Sequence, residues 1–308
     1  MSEGLRTTAY LAPRGFVSQL HAELGEITAA YDRLLLAPGP PRPIAWAANV
    51  WNEPIRIRID SINQGARALR EIQRNWVLYS YAQHRRASLI QDKLPSVSAK
   101  PLHFPDPPLA APLGSWTLLD PHTILAAPRC SSAFPHGEVR FVEDRTTPPN
   151  RAYLKLWEVF TLIGERPGPG QVCVDLGSSP GGWTWVLQTT GASVISIDKA
   201  PLDPKVANLP GVDVRQESAF GIDPSEIGAV DWLFCDIACY PERLLSLVLK
   251  WIDSGVCDRM ICTVKFQGET DRETTAALAA IPGSRLLHLS HNKHELTWVK
   301  GLDTSAWT

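Results

Sequence analysis

VDLGSSPGGWTW, residues 174–185, holds the pattern that decides the fold of this chain. A short apolar run over 171–176 stops at a glycine, and two more glycines follow before an aromatic-rich segment. An apolar strand that ends in a glycine turn and leads into a helix is how a doubly wound parallel sheet binds ligands, at the carboxyl edge of its strands. Gly177, Gly181 and Gly182 let the backbone approach a ligand closely. Ser178 and Ser179 supply hydroxyl donors, Pro180 stiffens the loop, and Trp183 is placed to touch what the loop holds. Asp198 ends the next apolar run, VISID, about 20 residues on, where an acidic side chain suits the two hydroxyls of a ribose.

An adenosine-containing cofactor is therefore expected. A dinucleotide fingerprint reads GxGxxG, but the order here is GSSPGG, with no glycine two places after Gly177 and no GxxxxGK[ST] phosphate loop. A cofactor without phosphates fits better, and S-adenosyl-L-methionine is the expected one. The plain alternative is a tight strand–helix turn that holds nothing. After the third strand candidate the chain reads VRQESAF, which puts Glu217 or Ser218 beside the adenine and leaves the choice open.

Working outward, strands are expected at 171–176, 193–197, 212–214, 230–235, 258–264, 285–289 and 295–299. Helices are expected between most of them, at 183–190, 241–253 and 271–280, with another at 151–164. The alternation predicts an α/β, Rossmann-like domain with a mixed, mostly parallel seven-stranded sheet. The first half is proline-rich and less periodic, with a rigid loop at 38–43, one or two helices within 62–92, an extended connection at 103–114, and short strands at 116–119 and 139–143. It reads as a smaller α+β domain, with the boundary at TTPPN, 146–150, and Asn150 placed to cap the next helix. The expected domains are thus 1–149 and 150–308.

The 308 residues are enough for two domains, and 44% hydrophobic with 20% charged residues is a globular composition. No stretch approaches the roughly 20 apolar residues of a membrane span, and the N-terminus has no signal-peptide core, so a cytoplasmic location is expected. Six cysteines show neither a CxxC pair nor zinc spacing, so reduced, mostly buried thiols and no metal site are expected. Residues 1–150 carry 16 Lys+Arg against 13 Asp+Glu, and the remainder 14 against 19. A basic patch for nucleic acid is confined to the first half, at Arg56/Arg58 or Arg67–Arg74 with Arg85–Arg86, against the plain reading of solvated arginines.

Four charged residues stand where charge is costly. Lys155 lies in an apolar helix pattern, Asp236 ends DWLFCD, Lys265 ends MICTVK, and Glu295 opens ELTWV. Each alone reads as a solvated strand end or a helix cap; three of the four are expected to converge beside the glycine loop.

Here the chain resembles a known family. DLGSSPGGW is similar to the cofactor loop of the FtsJ-type RNA ribose 2′-O-methyltransferases, NRAYLKLWE to their upstream SRAxxKLxE helix, CDIA to SDMAP, VKFQGE to KVFQG, and NKHELTWV to their final strand. The resemblance spans residues 150–299 and implies a Lys-Asp-Lys-Glu catalytic tetrad of Lys155, Asp236, Lys265 and Glu295, with Asp236 also near the cofactor. It implies S-adenosylmethionine-dependent methylation of an RNA ribose 2′-hydroxyl, with ribosomal RNA as partner. The two-domain layout most resembles the members that act on large-subunit ribosomal RNA, whose N-terminal part is a THUMP-like RNA-binding region; RGFVSQLHAELGEI, 14–27, carries that part of the likeness. CDIACYPE departs from the family by lacking its proline after CDIA, which bears on the substrate-side loop.

A ribose hydroxyl is a poor nucleophile, so the chemistry requires alignment and proton removal; alignment supplies up to roughly 7–11 kcal/mol in good model systems. Lys265 is the expected general base. An ordinary lysine titrates near 10.4, and lowering it to neutrality takes about 4 kcal/mol. A second ammonium, the sulfonium and burial act in that direction, whereas Asp236 and Glu295 act against it and are assigned orienting roles. Tyr240, after Asp236, is the expected base-stacking residue, and Phe266 is a further candidate; Trp185 is expected in the core. Rival readings are a catalytically inactive RNA-binding protein, a methyltransferase acting on an mRNA cap, tRNA or a small molecule, and an NAD-dependent dehydrogenase, which the loop spacing disfavours.

Overall fold

The computed structural model describes residues 7–98, 100–108 and 111–304. The first six residues, and two of the expected 103–114 connection, lie outside these. The chain divides into two compact units that meet between Arg140 and Phe141.

In the first unit, β1 (Thr7–Leu11), α1 (Val17–Leu24), β2 (Ala29–Tyr31), β3 (Leu34–Pro38), β4 (Asn49–Asn52), β5 (Ile55–Arg58), α2 (Ile62–Ile72), β6 (Trp76–Leu78), α3 (His84–Gln91), β7 (Gly114–Asp120), β8 (Thr123–Ala127) and β9 (Arg129–Cys130) follow in order. They build a five-stranded antiparallel sheet, β2-β3-β1-β4-β9, and a four-stranded one, β5-β8-β7-β6. Ser61 caps α2 by accepting from the Gln64 amide at 3.2 Å. Ala66 and Leu69 of α2, with Ala87 and Ile90 of α3, bury against Trp76, Trp116 and Ile124 of the four-stranded sheet. The arginines at 56, 58, 67, 70, 74 and 85 are exposed; those of β5 also charge an edge strand, which discourages further pairing.

Of the expectations for this half, the helices within 62–92 are present with an unforeseen strand, and the strand at 139–143 is corrected. Residues 62–92 contain two helices with a strand, β6, between them. Residues 139–143 form no strand beyond a single bridging residue: Val139 and Phe141 are each buried individually, so their alternation is satisfied without a ladder.

The second unit runs α4 (Tyr153–Ile163), β10 (Val172–Leu176), α5 (Gly182–Thr189), β11 (Ser193–Ile197), α6 (Pro204–Ala207), β12 (Val212–Arg215), α7 (Pro224–Ile227), β13 (Trp232–Cys235), α8 (Pro241–Ser254), β14 (Arg259–Lys265), α9 (Arg272–Ala279), β15 (Ser284–Leu287) and β16 (Glu295–Lys300). One seven-stranded sheet has the order β12-β11-β10-β13-β14-β16-β15. The first five strands are parallel, and β16 runs antiparallel between β14 and β15. This is the mixed, mostly parallel sheet the alternation predicts. α4 starts at Tyr153, two residues later than expected, and Asn150 accepts from the Ala152 amide at 3.1 Å. Trp232, Phe234, Trp251 and Trp298 are fully buried, and five of the six cysteines are buried.

A polar cluster lies inside this core. Asp175 of β10 is fully buried, and its Oδ2 accepts from Thr184 Oγ1 of α5 at 2.6 Å. Thr184 Oγ1 lies 3.0 Å from Ser196 Oγ of β11, so three neighbouring elements share one hydrogen-bonded cluster. Burial pushes the Asp175 carboxyl up to about 7, although Thr184 opposes the shift.

Two stability measurements follow. In urea unfolding, Trp298→Ala is expected to cost about 3–5 kcal/mol through the cavity it leaves, whereas Val214→Ala, on the half-exposed edge strand β12, stays within about 0.5 kcal/mol. Because Asp175 holds its proton to higher pH in the folded than in the unfolded chain, its contribution to stability is greatest at low pH and declines as pH rises toward about 7. Asp175→Asn keeps an acceptor for Thr184 and does not titrate. Its stability relative to wild type is expected to rise between about pH 4 and 7, by up to roughly 4 kcal/mol; a difference independent of pH would refute the buried-acid assignment.

Candidate active site

The glycine loop joins β10 to α5 and bounds a cleft of about 490 Å³ at the carboxyl edge of the sheet. Gly177 has φ +74°, and a Cβ there would meet Ile237 Cγ1 at 2.3 Å, so the position excludes every side chain on two grounds. At Gly182 a Cβ would meet Asn150 Oδ1 at 2.1 Å. The Ser179 amide donates to Asp198 Oδ2 at 3.0 Å, and Asp198 Oδ1 accepts from the Ala200 amide at 2.9 Å. Asp198 thus fixes the loop and still presents free lone pairs.

Gly177, Ser178, Ser179, Gly182, Trp183, Asp198, Ser218 and Asp236 all line this cleft. Among the described residues the buried Ser178 hydroxyl has no hydrogen-bond partner. Three other expected cofactor residues stand elsewhere. Exposed Pro180 turns its carbonyl to the Asp203 amide at 2.9 Å. A Cβ on Gly181 would press on Val206 at 3.0 Å and Leu202 at 3.2 Å, so that glycine serves packing beneath the loop. Glu217 is exposed and outside the lining, whereas Ser218, the next residue, is in it.

Sequence reasoning missed Asp175, Phe220 and Arg243, all of which line the cleft. The Arg243 guanidinium lies 4.1 Å over the Phe220 ring. An acidic residue inside the apolar strand VCVDL is a readable signal for Asp175; the Phe220–Arg243 pair depends on long-range packing and left none.

All four charged residues meet. Lys155 Nζ of α4 donates to both Asp236 oxygens, at 2.8 and 3.0 Å, and to Glu295 Oε1 at 3.2 Å. Lys265 Nζ lies 2.9 Å from Asp236 Oδ1 and donates to the Asp236 carbonyl at 2.6 Å. Asp236 therefore bridges both ammonium groups, and Glu295 contacts Lys155. Burial alone would raise the Asp236 carboxyl, but the two lysines overcome it and hold it below the usual carboxylate range. Lys265 lines the cleft and its side chain is 25% exposed, against 9% for Lys155. The more accessible ammonium is thus the one at the cavity.

Trp183 is buried; its Nε1 donates to the Ala152 carbonyl at 3.0 Å, and Lys155 Nζ stands 5.8 Å from its ring. Trp185 packs on Tyr153 and Trp157 but stays partly exposed, at the margin of the core in which it was expected. Phe266 is buried against His294, whereas Tyr240 is 58% exposed in the turn between Asp236 and α8.

Comparison with known proteins agrees with this geometry. Residues 148–276 match the family model described as FtsJ-like methyltransferase. Ribosomal RNA large subunit methyltransferase M of Halorhodospira halophila is 36% identical over 172 residues, 53% of this chain and 50% of that protein. The Thauera aminoaromatica protein of the same name is 34% identical over 182 residues, 54% of this chain and 49% of that one. That of Cellvibrio japonicus is 38% identical over 141 residues, 44% and 39% respectively. The chain spans about half the length of the curated relatives it matches. No helix among the described residues is long and apolar enough to cross a membrane. Family-model match, sheet order and the convergence of the four charged residues point the same way: residues 148–276, within the second unit, are similar to the FtsJ-like methyltransferases.

Proposed function

We propose that this protein transfers a methyl group from S-adenosyl-L-methionine to a ribose 2′-hydroxyl of large-subunit ribosomal RNA, working in the cytoplasm. The observation that carries the reading is the hydrogen-bonded set Asp236–Lys155–Glu295 and Asp236–Lys265 at the edge of the glycine-loop cleft. The names of the relatives support the substrate class. In this reading the exposed arginines of the first unit, on β5, α2 and α3, meet RNA phosphates.

The cleft fits the cofactor. It has the size of a small-molecule site, Gly177 leaves no room for a side chain on the approaching backbone, and the Ser178 hydroxyl lacks a partner. Asp198 suits the ribose hydroxyls and Ser218 the adenine end. The cofactor supplies, when bound, an electrophilic methyl carbon on a sulfonium. The remaining work falls to the chain's own residues. Lys265 faces the cavity and, as the neutral amine after its own proton has passed to solvent, takes the 2′-hydroxyl proton at Nζ. Asp236 holds Lys265 by both its carboxylate and its carbonyl and so fixes the direction of that nitrogen. Lys155 is kept in place by Asp236 and Glu295 and sets a second positive charge beside the first. The buried Trp183 closes one wall against water.

Incubation with tritium-labelled cofactor and ribosomal RNA, followed by mapping of the labelled nucleotide, tests the reading: label in a ribose is expected, and label in bases or small molecules would reject it. Lys265→Ala is expected to lower transfer by at least about 10²-fold, with the cofactor Kd nearly unchanged in calorimetry; substantial remaining activity would reject Lys265 as base. Tyr240→Ala is expected to weaken RNA binding by about 1–3 kcal/mol through lost stacking, and Tyr240→Phe to restore it, both read by filter binding.

A further inference from the structure

Three residues beyond Lys155 on α4 stands Glu158, on the same side of the helix. It is 1% exposed, and a buried carboxylate is costly unless fully hydrogen-bonded. Its oxygens are satisfied by one short segment. Oε1 accepts from the Ser290 amide at 2.7 Å and the Ser290 hydroxyl at 2.8 Å. Oε2 accepts from the His291 amide at 3.1 Å and from His291 Nδ1 at 2.5 Å. The His291 ring also rests on Phe141, with centroids 5.7 Å apart.

Four residues after His291 the chain reaches Glu295, which opens β16 directly opposite Lys265 and accepts from Lys155. α4 therefore grips this segment twice: Glu158 at 290–291 and Lys155 at 295. Asn292 ties the intervening turn back to Thr297 at 3.2 Å, so little slack separates the two grips. An apolar residue would pack a helix against a loop equally well, and buried ionic groups are often replaceable without loss of stability. Four directed donors instead fix where the segment lies.

We infer that Glu158 is a positioning residue: through Ser290 and His291 it sets Glu295 against Lys155, and thereby the cluster in which Lys265 acts. The catalytic part of this inference rests on the methyl-transfer reading. The positional part does not.

Glu158→Gln preserves shape but turns an amide NH₂ toward two donors, which frees either Ser290 or His291. Three readouts are taken on the full chain: kcat and KM with ribosomal RNA, cofactor Kd, and the lysine ammonium resonances of ¹⁵N-lysine-labelled protein, with thermal melting recorded alongside. A fall in kcat of between about 10- and 100-fold is expected, the scale of an ångström-level misplacement. KM and cofactor Kd stay near wild type, and the Lys155 ammonium signal moves. Glu158→Gln combined with Glu295→Gln is expected to be no worse than Glu295→Gln alone, since both act through one contact. Unchanged kcat with only a lowered melting point, or multiplied losses in the double variant, would overturn the inference. If wild-type protein transfers no methyl group, the methyl-transfer reading fails, and the resonances still decide: a Lys155 signal unmoved in Glu158→Gln overturns the positioning role. Should Glu158→Gln not fold, Ser290→Ala replaces it, with a smaller fall in kcat and shift of the Lys155 signal expected and no change in either overturning the inference.

Discussion

Asp236 holds two ammonium groups at once, and the site is organised by that fact. Lys155 and Lys265 both lie within 3 Å of its carboxylate. Without the shared anion, two cations brought this close in a partly buried cleft would repel strongly. With Asp236 and Glu295 present, two positive and two negative charges balance, and the set tolerates its burial. Such a cluster is weak evidence of stability, since apolar replacements often serve a fold better. Its retention in the wall of a cleft is the mark of a site that needs charge held at fixed positions.

The sheet topology makes this meeting possible. In a parallel sheet all carboxyl ends share one edge, so β10, β13 and β14 deliver the glycine loop, Asp236 and Lys265 to the same side. A fourth parallel strand would bring only its own last residues there. β16 runs the other way, so its first residue, Glu295, reaches the edge at which β14 ends, facing Lys265 across the ladder. α4 then crosses nearby and contributes Lys155 from outside the sheet, with Glu158 securing the approach to β16.

Much of the second unit was legible in its residues because its central strands are buried on both faces. Runs such as VISI, WLFC and MICTV are continuous and apolar, and their limits in the structure agree with the sequence to within two residues. The first unit was far less legible. Its strands are mostly short and antiparallel and are separated by proline-containing loops, and one of them, β6, which pairs parallel with β7, lies between two helices in a stretch whose composition favours helix. Trp76 belongs to a strand because it fills the space beneath α2 and α3, a tertiary reason that local propensity does not carry.

Within the site, the residue types and their order along the chain were set by the sequence alone: a phosphate-free glycine loop, an acid after the second strand, and Lys155, Asp236, Lys265 and Glu295 at element ends. Who touches whom was decided by folding. Asp236 serves both lysines, Glu295 belongs to Lys155, Gly181 packs beneath the loop, and Ser218 rather than Glu217 reaches the cleft. Spacing along a chain specifies which edge of a sheet a residue reaches, because strand direction and the alternation of side chains are local properties. Partnerships across 81 or 140 residues depend on how helices and strands pack, and that information exists only once the core is assembled.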